Sequence, residues 1–511
     1  MTTVPVNDDD PFKDPSLPNS QAQQQAQPDI PPGSTLAIGR NASLTLGTDS
    51  LIVLDEGFAV SRDASNCCGL IPTKNKTTRA IPFFNILWAE LVEWDITIRY
   101  AQTVSKDTVR VAYINYTMEK TDRAFIEAWV EKLLDRAYGA SQRQKRIKVL
   151  VNPFGGKGTA QKLYVRDIEP IFAAARCEVD VERTKYRGHA VELVENLETD
   201  SFDVIACCSG DGVAHEVFNG LAKKKDAARA LTQTAVVQLP CGSGNAMSLN
   251  LNGTDSPSLA ALAVVKGLRT PLDLISITQG DKRTISFLSQ SVGIVAESDL
   301  GTEHLRWLGS ARFTYGFLVR LIGKMLYPAD IALHLEIDNK PGIREAYSHE
   351  TSQAPPTHDS RAIPPPTAGL PSLKYGTIND ALPESWTLVP HDKLGNFYAG
   401  NMAYMSPDAN FFPASLPSDG CLDLIRIAGD IPRLTAVRSL LAIEKGTFFD
   451  MPHVDYAKVS AYRIIPRNQA HGYISIDGER VPFAPFQAEV HRGLGTVLSR
   501  SGHLYEAKGV C

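Results

Sequence analysis

The sequence lacks the features that would carry it across a membrane. No apolar run reaches the roughly 18–20 residues of a bilayer-spanning helix, and the acidic, polar start is unlike a signal peptide. Thr2 stands where myristoylation needs glycine, and the terminal Cys511 excludes a prenylation box. We therefore expect a cytoplasmic protein, soluble or peripheral on cytosolic membrane faces (endoplasmic reticulum, Golgi, endosome or plasma membrane).

Cysteine pairs of the C-x-x-C type and a net positive charge are also missing. The 8 cysteines form no C-x-x-C pair, which argues against a zinc site and favours reduced thiols. The formal net charge is −5, so no global positive field exists and no nucleic-acid partner is expected. What is present is an ordinary globular composition over 511 residues, 43% of them hydrophobic, enough for about two to four domains.

Patterning divides the chain into an N-terminal part and two larger lobes. Residues 1–38, rich in Pro, Gln and Ser, are expected to be disordered. Residues 39–140 read as a small β-rich region of the pleckstrin-homology type that ends in an amphipathic helix, Arg123–Tyr138. From 145 to 275 strands and helices alternate, which predicts an α/β lobe with a parallel sheet.

The second lobe, 276–502, reads as mostly β. Arg283–Val295 is one predicted strand, and two helices are predicted near 311–326 and 434–445. The segment 340–382 is rich in Pro, Ser and Thr and is expected to be a disordered insertion.

Three glycine-rich loops, Asn152–Gly158, Ser209–Gly212 and Gly242–Asn245, each follow an apolar strand. Ligands of open α/β sheets bind beyond the carboxyl ends of the strands, so these loops can converge on one site. Glycine lets the backbone approach a phosphate closely, and loop N–H groups attract the anion. Neither the P-loop nor the Rossmann pattern is present. The alternative is that each loop is only a tight turn.

Asp211 lies between two glycines at a strand end. A carboxylate exposed there can accept the proton of an attacking hydroxyl, as the catalytic aspartate of kinases does. The alternative is a turn aspartate that caps the next helix.

These motifs resemble a known family. Asn152-Pro-Phe-Gly-Gly-Lys-Gly158, Ser209-Gly-Asp-Gly-Val-Ala-His-Glu216 and Leu239-Pro-Cys-Gly-Ser-Gly-Asn-Ala246 are similar to the diacylglycerol-kinase-type catalytic domain. Within it, the resemblance is to sphingosine kinases, specifically fungal and plant long-chain-base kinases, over roughly 147–499. The resemblance implies an α/β nucleotide-binding lobe followed by a β-sandwich lipid-binding lobe, with the active site in the cleft. It also implies ATP and Mg²⁺ as cofactors.

The resemblance further implies roles for individual residues. Asp211 would be the catalytic base, within a substrate site of Ser209, Gly210, Asp211 and Gly212. Phe154 stands where many animal relatives carry Arg, so no charge is available there. Asp477 is the candidate Mg²⁺ ligand. The implied nucleotide-binding set is Asn152, Pro153, Phe154, Gly155, Gly156, Thr184, Lys185, Tyr186, Arg187, Gly188, Glu216, Gly242, Ser243, Gly244, Arg306, Arg312, Asp477, Gly478 and Glu479.

Asp299 matches the sphingosine-kinase position that recognises the lipid head group. An anionic side chain there would favour a sphingoid base, whose ammonium neighbours its hydroxyl, over neutral lipids. Glu297 and Glu303 add acidity, although all three could be ordinary surface acids. The tail would contact an apolar helix face that could equally be core: Phe313, Phe317, Leu318, Leu321 and Ile322.

Cys67 and Cys68 form an adjacent pair in a polar stretch, and fungal relatives look similar in carrying an acylated pair there. Acylation would give peripheral membrane association, whereas the alternative is two unmodified thiols.

We expect an ATP-dependent sphingoid-base kinase, with a homodimer as one arrangement. The alternatives are a ceramide or diacylglycerol kinase, an inactive lipid-binding regulator, and an enzyme of the NAD-kinase type.

Overall fold

The computed structural model describes residues 33–38, 42–55, 78–119, 122–156, 158–301, 326–353, 361–469 and 471–510. Two compact units divide the chain, 1–80 and 81–511. Several predictions fall outside the described residues: most of the N-terminal tail, Cys67, Cys68, Lys157, Glu303, Arg306, Arg312 and the helix near 311–326. None of the helices in the described ranges combines the length and apolar character needed to span a bilayer.

The first unit contains a four-stranded sheet in the order β1-β2-β3-β4. Apolar and polar residues alternate along its strands, and Leu44, Leu46, Leu51 and Val53 form its buried face. The strands are β1 (Thr35–Ile38), β2 (Ala42–Leu46), β3 (Ser50–Asp55) and β4 (Thr78–Pro82), the last of which ends just beyond residue 80.

The second unit opens with the three-stranded antiparallel sheet β5 (Ile86–Val92), β6 (Asp95–Ser105) and β7 (Thr108–Thr117), followed by α1 (Arg123–Tyr138). Asp122 caps α1 by accepting the N–H of Phe125. Tyr138 donates its hydroxyl to the carbonyl of Leu87 at 2.6 Å, which holds α1 to β5. The predicted β-rich region and its helix are confirmed, and the pleckstrin-homology likeness stays a prediction.

Four parallel strands form the predicted α/β lobe, in the order β9-β8-β10-β11. They are β8 (Arg146–Val151), β9 (Glu178–Arg183), β10 (Val204–Ser209) and β11 (Ala235–Pro240). Every residue of β10 and β11 is buried, as expected for strands covered by helices on both faces. Val204 pairs with Ile147 on one side and Ala235 on the other, so the carboxyl ends of the strands reach one edge together.

The helices of this lobe begin earlier and are more numerous than the sequence suggested. α5 begins at Asp211 rather than at His215, because the extended Gly210 serves as its N-cap. Three helices between 227 and 266 were not predicted. The helices are α2 (Ala160–Leu163), a π-helical turn (Tyr164–Ile168), α3 (Glu169–Ala174), α4 (His189–Asn196), α5 (Asp211–Lys223), α6 (Ala227–Gln233), α7 (Ala246–Asn252) and α8 (Pro257–Lys266).

The remainder is mostly antiparallel β, as predicted. The single strand predicted over 283–295 is wrong: it is two strands, and the chain then turns into a helix at Ile294. The strands are β12 (Leu268–Gln279), β13 (Lys282–Ser286), β14 (Ser289–Gly293), β15 (Ala329–Ile337), β16 (Val389–His391), β17 (Leu394–Gly400), β18 (Tyr404–Ser406), β19 (Ala409–Asn410), β20 (Leu422–Ala428), β21 (Asp455–Pro466), β22 (Ile474–Ile476), β23 (Glu479–Val481) and β24 (Phe486–Ser499). The helices are α9 (Ile294–Gly301), α10 (Lys340–Ser352) and α11 (Arg433–Lys445).

A long antiparallel ribbon of β12 and β24 joins the two lobes. At one end of β24, Val497 pairs in parallel with Val236 of β11. At its other end, Glu489 pairs with Ala461 of β21. One 15-stranded sheet therefore runs through both lobes, and the boundary predicted at 275/276 falls inside β12.

The Pro-rich segment is not the disordered insertion that its composition predicted, wherever the structure describes it. α10 occupies 340–352, with Asn339 as its cap. Beyond it, Arg361 donates to the carbonyl of Gly493, and Glu489 accepts the N–H groups of Lys374 and Tyr375 at 2.8 and 2.9 Å. Proline cannot donate a hydrogen bond to a neighbouring strand, but it can still pack against one. Side chains of β24 therefore provide hydrogen-bond partners for the backbone of this segment.

Candidate active site

The three glycine-rich loops meet at the carboxyl edge of the parallel sheet. A Cβ added to Gly242 would lie 2.3 Å from the backbone N of Gly210, and one added to Gly156 would lie 3.2 Å from Gly242. Only glycine permits this approach, since real Cβ atoms do not come so close to backbone. Asn152 supports the first loop by accepting the N–H of Phe154 at 3.0 Å.

A cavity of about 980 Å³ opens over these loops and extends into the second lobe. It is large enough for a nucleotide and part of a lipid. Pro153 and Gly188 do not line it, and Arg306 and Arg312 lie outside the described residues. The predicted residues in its lining are Asn152, Phe154, Gly155, Gly156, Thr184, Lys185, Tyr186, Arg187, Ser209, Gly210, Asp211, Gly212, Glu216, Gly242, Ser243, Gly244, Asp299, Asp477, Gly478 and Glu479.

Asp211 is the first residue of α5, and its carboxylate also caps the start of α7. Its two oxygens accept the N–H groups of Ala246 and Met247, each at 3.0 Å. Burial raises the pKa of Asp211, while these two bonds and the side chain of Gln238 oppose that rise. Of the roughly four acceptor sites of a carboxylate, these three hydrogen bonds leave one open. The group is thus held rigidly at the cavity wall and retains the capacity to accept a proton.

Glu216, one turn further along α5, holds the second predicted nucleotide segment. Its oxygens accept the N–H groups of Gly188 and Ala190, at 2.8 and 3.0 Å, and so cap α4. Thr184 in this segment is buried, while Tyr186 is exposed and donates its hydroxyl to Glu192. Both acidic side chains of α5 therefore position a neighbouring loop, a task the sequence reasoning did not foresee.

Asp477 has a different environment from the one that a metal ligand needs. One oxygen accepts from the hydroxyl of Ser286 and the N–H groups of Leu288 and Ser289, at 2.6, 2.9 and 3.0 Å. The other accepts the N–H of Phe287 at 3.0 Å and contacts His215 Nδ1 at 2.8 Å. These contacts use the lone pairs that Mg²⁺ would require. The predicted metal role of Asp477 therefore finds no support in this geometry.

We expect Asp477→Asn to destabilise the protein. Asparagine tolerates the positive φ of 53° at this position, but its NH₂ group would face the N–H of Phe287 and His215. Leaving buried donors unpaired costs about 1–3 kcal/mol. Thermal denaturation checks this, with the exposed Asp255→Asn as the matched control. Equal melting temperatures for the two variants would contradict the prediction.

His215 lies within the motif Ser209–Glu216, and no role was predicted for it from the sequence. Burial lowers the pKa of His215, but the hydrogen bond and negative charge of Asp477 outweigh it, so the pKa lies above its usual value. The pair ties α5 of the first lobe to the turn between β22 and β23 of the second. The sequence signal that could have pointed to His215 is its spacing from Asp211: it follows four residues later, on the same face of a helix.

Glu479, two residues after Asp477, lies against the start of α5 beside Gly212. It forms an ion pair with Arg187 across the cavity. Because Arg187 is largely exposed, this pair is weak and open to exchange with a bound phosphate.

Asp299 lies on α9 and lines the cavity. Burial is the main cause that raises the pKa of Tyr398 above its usual range, and the negative charge of Asp299 contributes to the same rise. Glu297 does not line the cavity and accepts the hydroxyl of Tyr327, so its carboxylate is engaged elsewhere. Glu303 lies outside the described residues.

One wall of the cavity within the second lobe is apolar. Val295, Phe411 and Ile443 line it and also line an adjacent small apolar cavity of about 30 Å³. Leu440 and Leu441 of α11 add to the same wall. In the part of the chain that the structure describes, no group of three or more His, Cys, Asp or Glu is placed to hold a metal ion.

Comparison with family models agrees with this arrangement. Residues 146–277 match the diacylglycerol kinase catalytic domain, and residues 396–499 match the YegS C-terminal NAD kinase beta sandwich-like domain. Residues 34–139 match a domain of unknown function, DUF7493. A solved structure of a candidate diacylglycerol kinase from Bacillus anthracis str. Sterne aligns with a TM-score of 0.50 and 18% identity. It covers 70% of this chain and 97% of its own, and it shows the fold alone.

Curated relatives match at higher identity. Sphingoid long chain base kinase 5 of Saccharomyces cerevisiae is 32% identical over 88% of this chain and 71% of its own length. Sphingoid long chain base kinase 4 of Schizosaccharomyces pombe is 32% identical over 84% of this chain and 90% of its own length. Human sphingosine kinase 1 is 30% identical over 69% and 90%. With these relatives matched across both lobes, the chain belongs to the family of sphingosine and sphingoid long-chain base kinases.

Proposed function

We propose that this protein transfers the γ-phosphate of ATP to the primary hydroxyl of a sphingoid long-chain base, giving the 1-phosphate. The observation that carries the proposal is the single cavity in which the three glycine-rich loops, Asp211 and Asp299 meet an apolar wall. A phosphate cradle, a proton acceptor, an anionic group for an ammonium and an apolar surface are the four features this reaction needs.

Asp211 acts as the general base in this proposal. The lipid hydroxyl oxygen attacks the γ-phosphorus, its proton passes to a carboxylate oxygen of Asp211, and the bond to the β-phosphate breaks to release ADP. The raised pKa of Asp211 makes its carboxylate a stronger proton acceptor. The N–H groups of Ala246 and Met247 hold the carboxylate in place, so it need not be ordered when the substrate arrives.

The phosphates are bound mainly by backbone N–H groups of the three loops. Arg187 adds a positive charge once it exchanges Glu479 for a phosphate, and Arg306 and Arg312 are proposed partners by motif position. A family of this kind implies Mg²⁺, and an ion that arrives with the nucleotide keeps waters and needs only one or two carboxylates. Glu479, which lines the cavity, would hold it together with water and phosphate oxygens, and when bound it would neutralise phosphate charge.

Radiolabelled ATP incubated with a lipid panel tests the proposal. We expect turnover with sphinganine, sphingosine or phytosphingosine, and little with ceramide or diacylglycerol. Turnover with diacylglycerol alone would replace the proposed substrate by the alternative one. ATP consumption that no lipid stimulates would favour a lipid-binding regulator.

Asp299→Asn is expected to lower the preference for free sphingoid bases over ceramide by about tenfold or more. The variant keeps the shape of the side chain but removes the charge that would pair with the ammonium, and a hydrogen-bonded charge is worth about 1.5–3 kcal/mol. The ratio of kcat/KM for sphinganine and ceramide measures it. Glu297→Gln is the matched control, since its carboxylate is bound by Tyr327. An undiminished preference in Asp299→Asn would remove Asp299 from the head-group site.

Membrane attachment through acylated Cys67 and Cys68 is part of the same proposal. An acyl chain would bring the enzyme to the bilayer that holds its substrate, and two chains anchor far better than one. Metabolic labelling with a palmitate analogue, compared between the parent and Cys67→Ser/Cys68→Ser, tests this.

A further inference from the structure

The solvent-facing side of α11 (Arg433–Lys445) carries three large apolar side chains, which is unusual for a surface helix. Leu434, Val437 and Leu441 are 75%, 38% and 49% exposed. Their spacing of three and four residues places them on one side of the helix. The opposite side is buried and consists of Ala436, Ser439, Ala442 and Ile443. The helix therefore carries apolar side chains on both faces, and the exposed face also carries the charged residues Arg433, Arg438, Glu444 and Lys445.

Positive charges flank the exposed apolar side chains. Arg438 stands four residues after Leu434, and Lys445 four residues after Leu441, so each lies on the same side as its leucine. Both cations are exposed, and neither forms an ion pair with any described residue. An apolar strip with flanking cations complements the surface of a bilayer that contains anionic lipid.

The same helix borders the candidate active site. Leu440, Leu441 and Glu444 line the large cavity, and Ile443 reaches its apolar end. The exposed strip therefore meets the cavity at Leu441, which belongs to both. A long-chain lipid that leaves a bilayer beside α11 would contact the apolar side chains of Leu440, Leu441 and Ile443 as it enters the cavity, which lowers the cost of exposing its tail to water.

We propose that the outer face of α11, formed by Leu434, Val437, Arg438, Leu441 and Lys445, is a docking surface for an anionic lipid membrane. This surface delivers the lipid acceptor to the cavity and acts independently of acylation at Cys67 and Cys68. The inference rests on the proposed function.

Vesicle binding of the full-length chain, made without acylation, tests the surface. The probes are phosphatidylcholine vesicles with and without phosphatidylserine. We expect Leu434→Ser/Val437→Ser to weaken binding to the anionic vesicles by about tenfold or more, because several buried CH₂ groups are lost. Arg438→Glu should reduce the gain that phosphatidylserine provides. Leu335→Ser is the matched control, since Leu335 is 47% exposed on β15.

Val437→Trp tests the same surface by a gain, rather than a loss, of vesicle binding. Tryptophan prefers the membrane interface, so this variant is expected to bind the same vesicles a few-fold more tightly than the parent. Vesicle binding that stays within twofold of the parent in all α11 variants would overturn the inference. The inference would also be overturned if the α11 variants lost a dimer in sedimentation while their vesicle binding stayed unchanged. That result would assign the face to contact with a second copy of the chain.

Kinetics separate a failure of this surface from a failure of the proposed function. With sphinganine dispersed in detergent, Leu434→Ser/Val437→Ser should turn over as the parent does, because neither side chain lines the cavity. With sphinganine embedded in vesicles, the same variant should lose about tenfold in kcat/KM. A parent that phosphorylates no base in either form refutes the proposed function, whereas equal loss in both forms refutes the docking surface.

Discussion

Asp211→Asn is expected to reduce lipid-dependent turnover by about 10²–10⁴-fold, the range that general-base catalysis contributes. Asparagine has nearly the same shape but accepts no proton at neutral pH. KM for ATP should change little, since backbone N–H groups of the loops make most of the phosphate contacts. Steady-state kinetics with sphinganine and ATP measure both quantities.

The structure also shows why this variant needs a stability measurement. The asparagine NH₂ group would face one of the two N–H groups of Ala246 and Met247, at a cost of about 1–3 kcal/mol. A melting curve separates that loss from the loss of the base. Asp408→Asn is the matched control because it removes a negative charge from the same cavity without such contacts. Turnover within tenfold of the parent in Asp211→Asn would show that another group accepts the proton.

Gly242→Ala is expected to abolish nucleotide binding and lower turnover by about 10²-fold or more, with only the methyl group as the cause. The new Cβ would lie 2.3 and 2.4 Å from the N and Cα of Gly210, both backbone atoms that cannot rotate away. The second and third loops must therefore separate, and a displacement near 1 Å is enough for such a loss of rate.

Nucleotide affinity of the Gly242→Ala variant is measured by titration with a fluorescent ATP analogue. Gly369→Ala is its matched control, since a Cβ there has no neighbour closer than 3.8 Å. We expect the control to bind and turn over as the parent does. Normal nucleotide affinity in Gly242→Ala would mean that the second and third loops do not jointly cradle the phosphates.

Local patterns predicted the first lobe well because the relevant signals are close together in sequence. Each of these buried strands is a short apolar run that leads into a glycine-rich loop, so β8, β10 and β11 and their loops could be predicted directly. The helix α1 was predicted at its observed bounds from spacing alone. These signals also placed Asp211 at a strand end, although its cap on α7 could not be foreseen.

Residues whose roles depend on distant partners could not be assigned. Asp477 resembled a metal ligand, yet its donors are Ser286 to Ser289, about 190 positions earlier in the chain. Glu216 resembled a pocket residue, and its carboxylate caps α4. A carboxylate at a loop has the same local sequence signature whether it binds a cation or backbone N–H groups. Only the surrounding donors distinguish the two.

Composition misled in the Pro-rich segment for a related reason. Proline and serine predict that a segment cannot form a regular element, but they do not exclude packing against another one. Arg361, Tyr375 and Trp386 contribute contacts that low-complexity statistics overlook, among them a Tyr375–Trp386 ring pair with centroids 5.2 Å apart.

Local sequence patterns were sufficient to predict the parallel strands of the first lobe, the three glycine-rich loops and the family resemblance, although three helices of that lobe were missed. Only the tertiary structure decided that β12 and β24 join both lobes in one sheet, that Asp477 binds backbone N–H groups, and that α11 exposes an apolar face beside the cavity. The physical reason is that periodicity and turn chemistry act over a few residues. Strand pairing, burial and the satisfaction of charges depend on residues brought together from hundreds of positions apart.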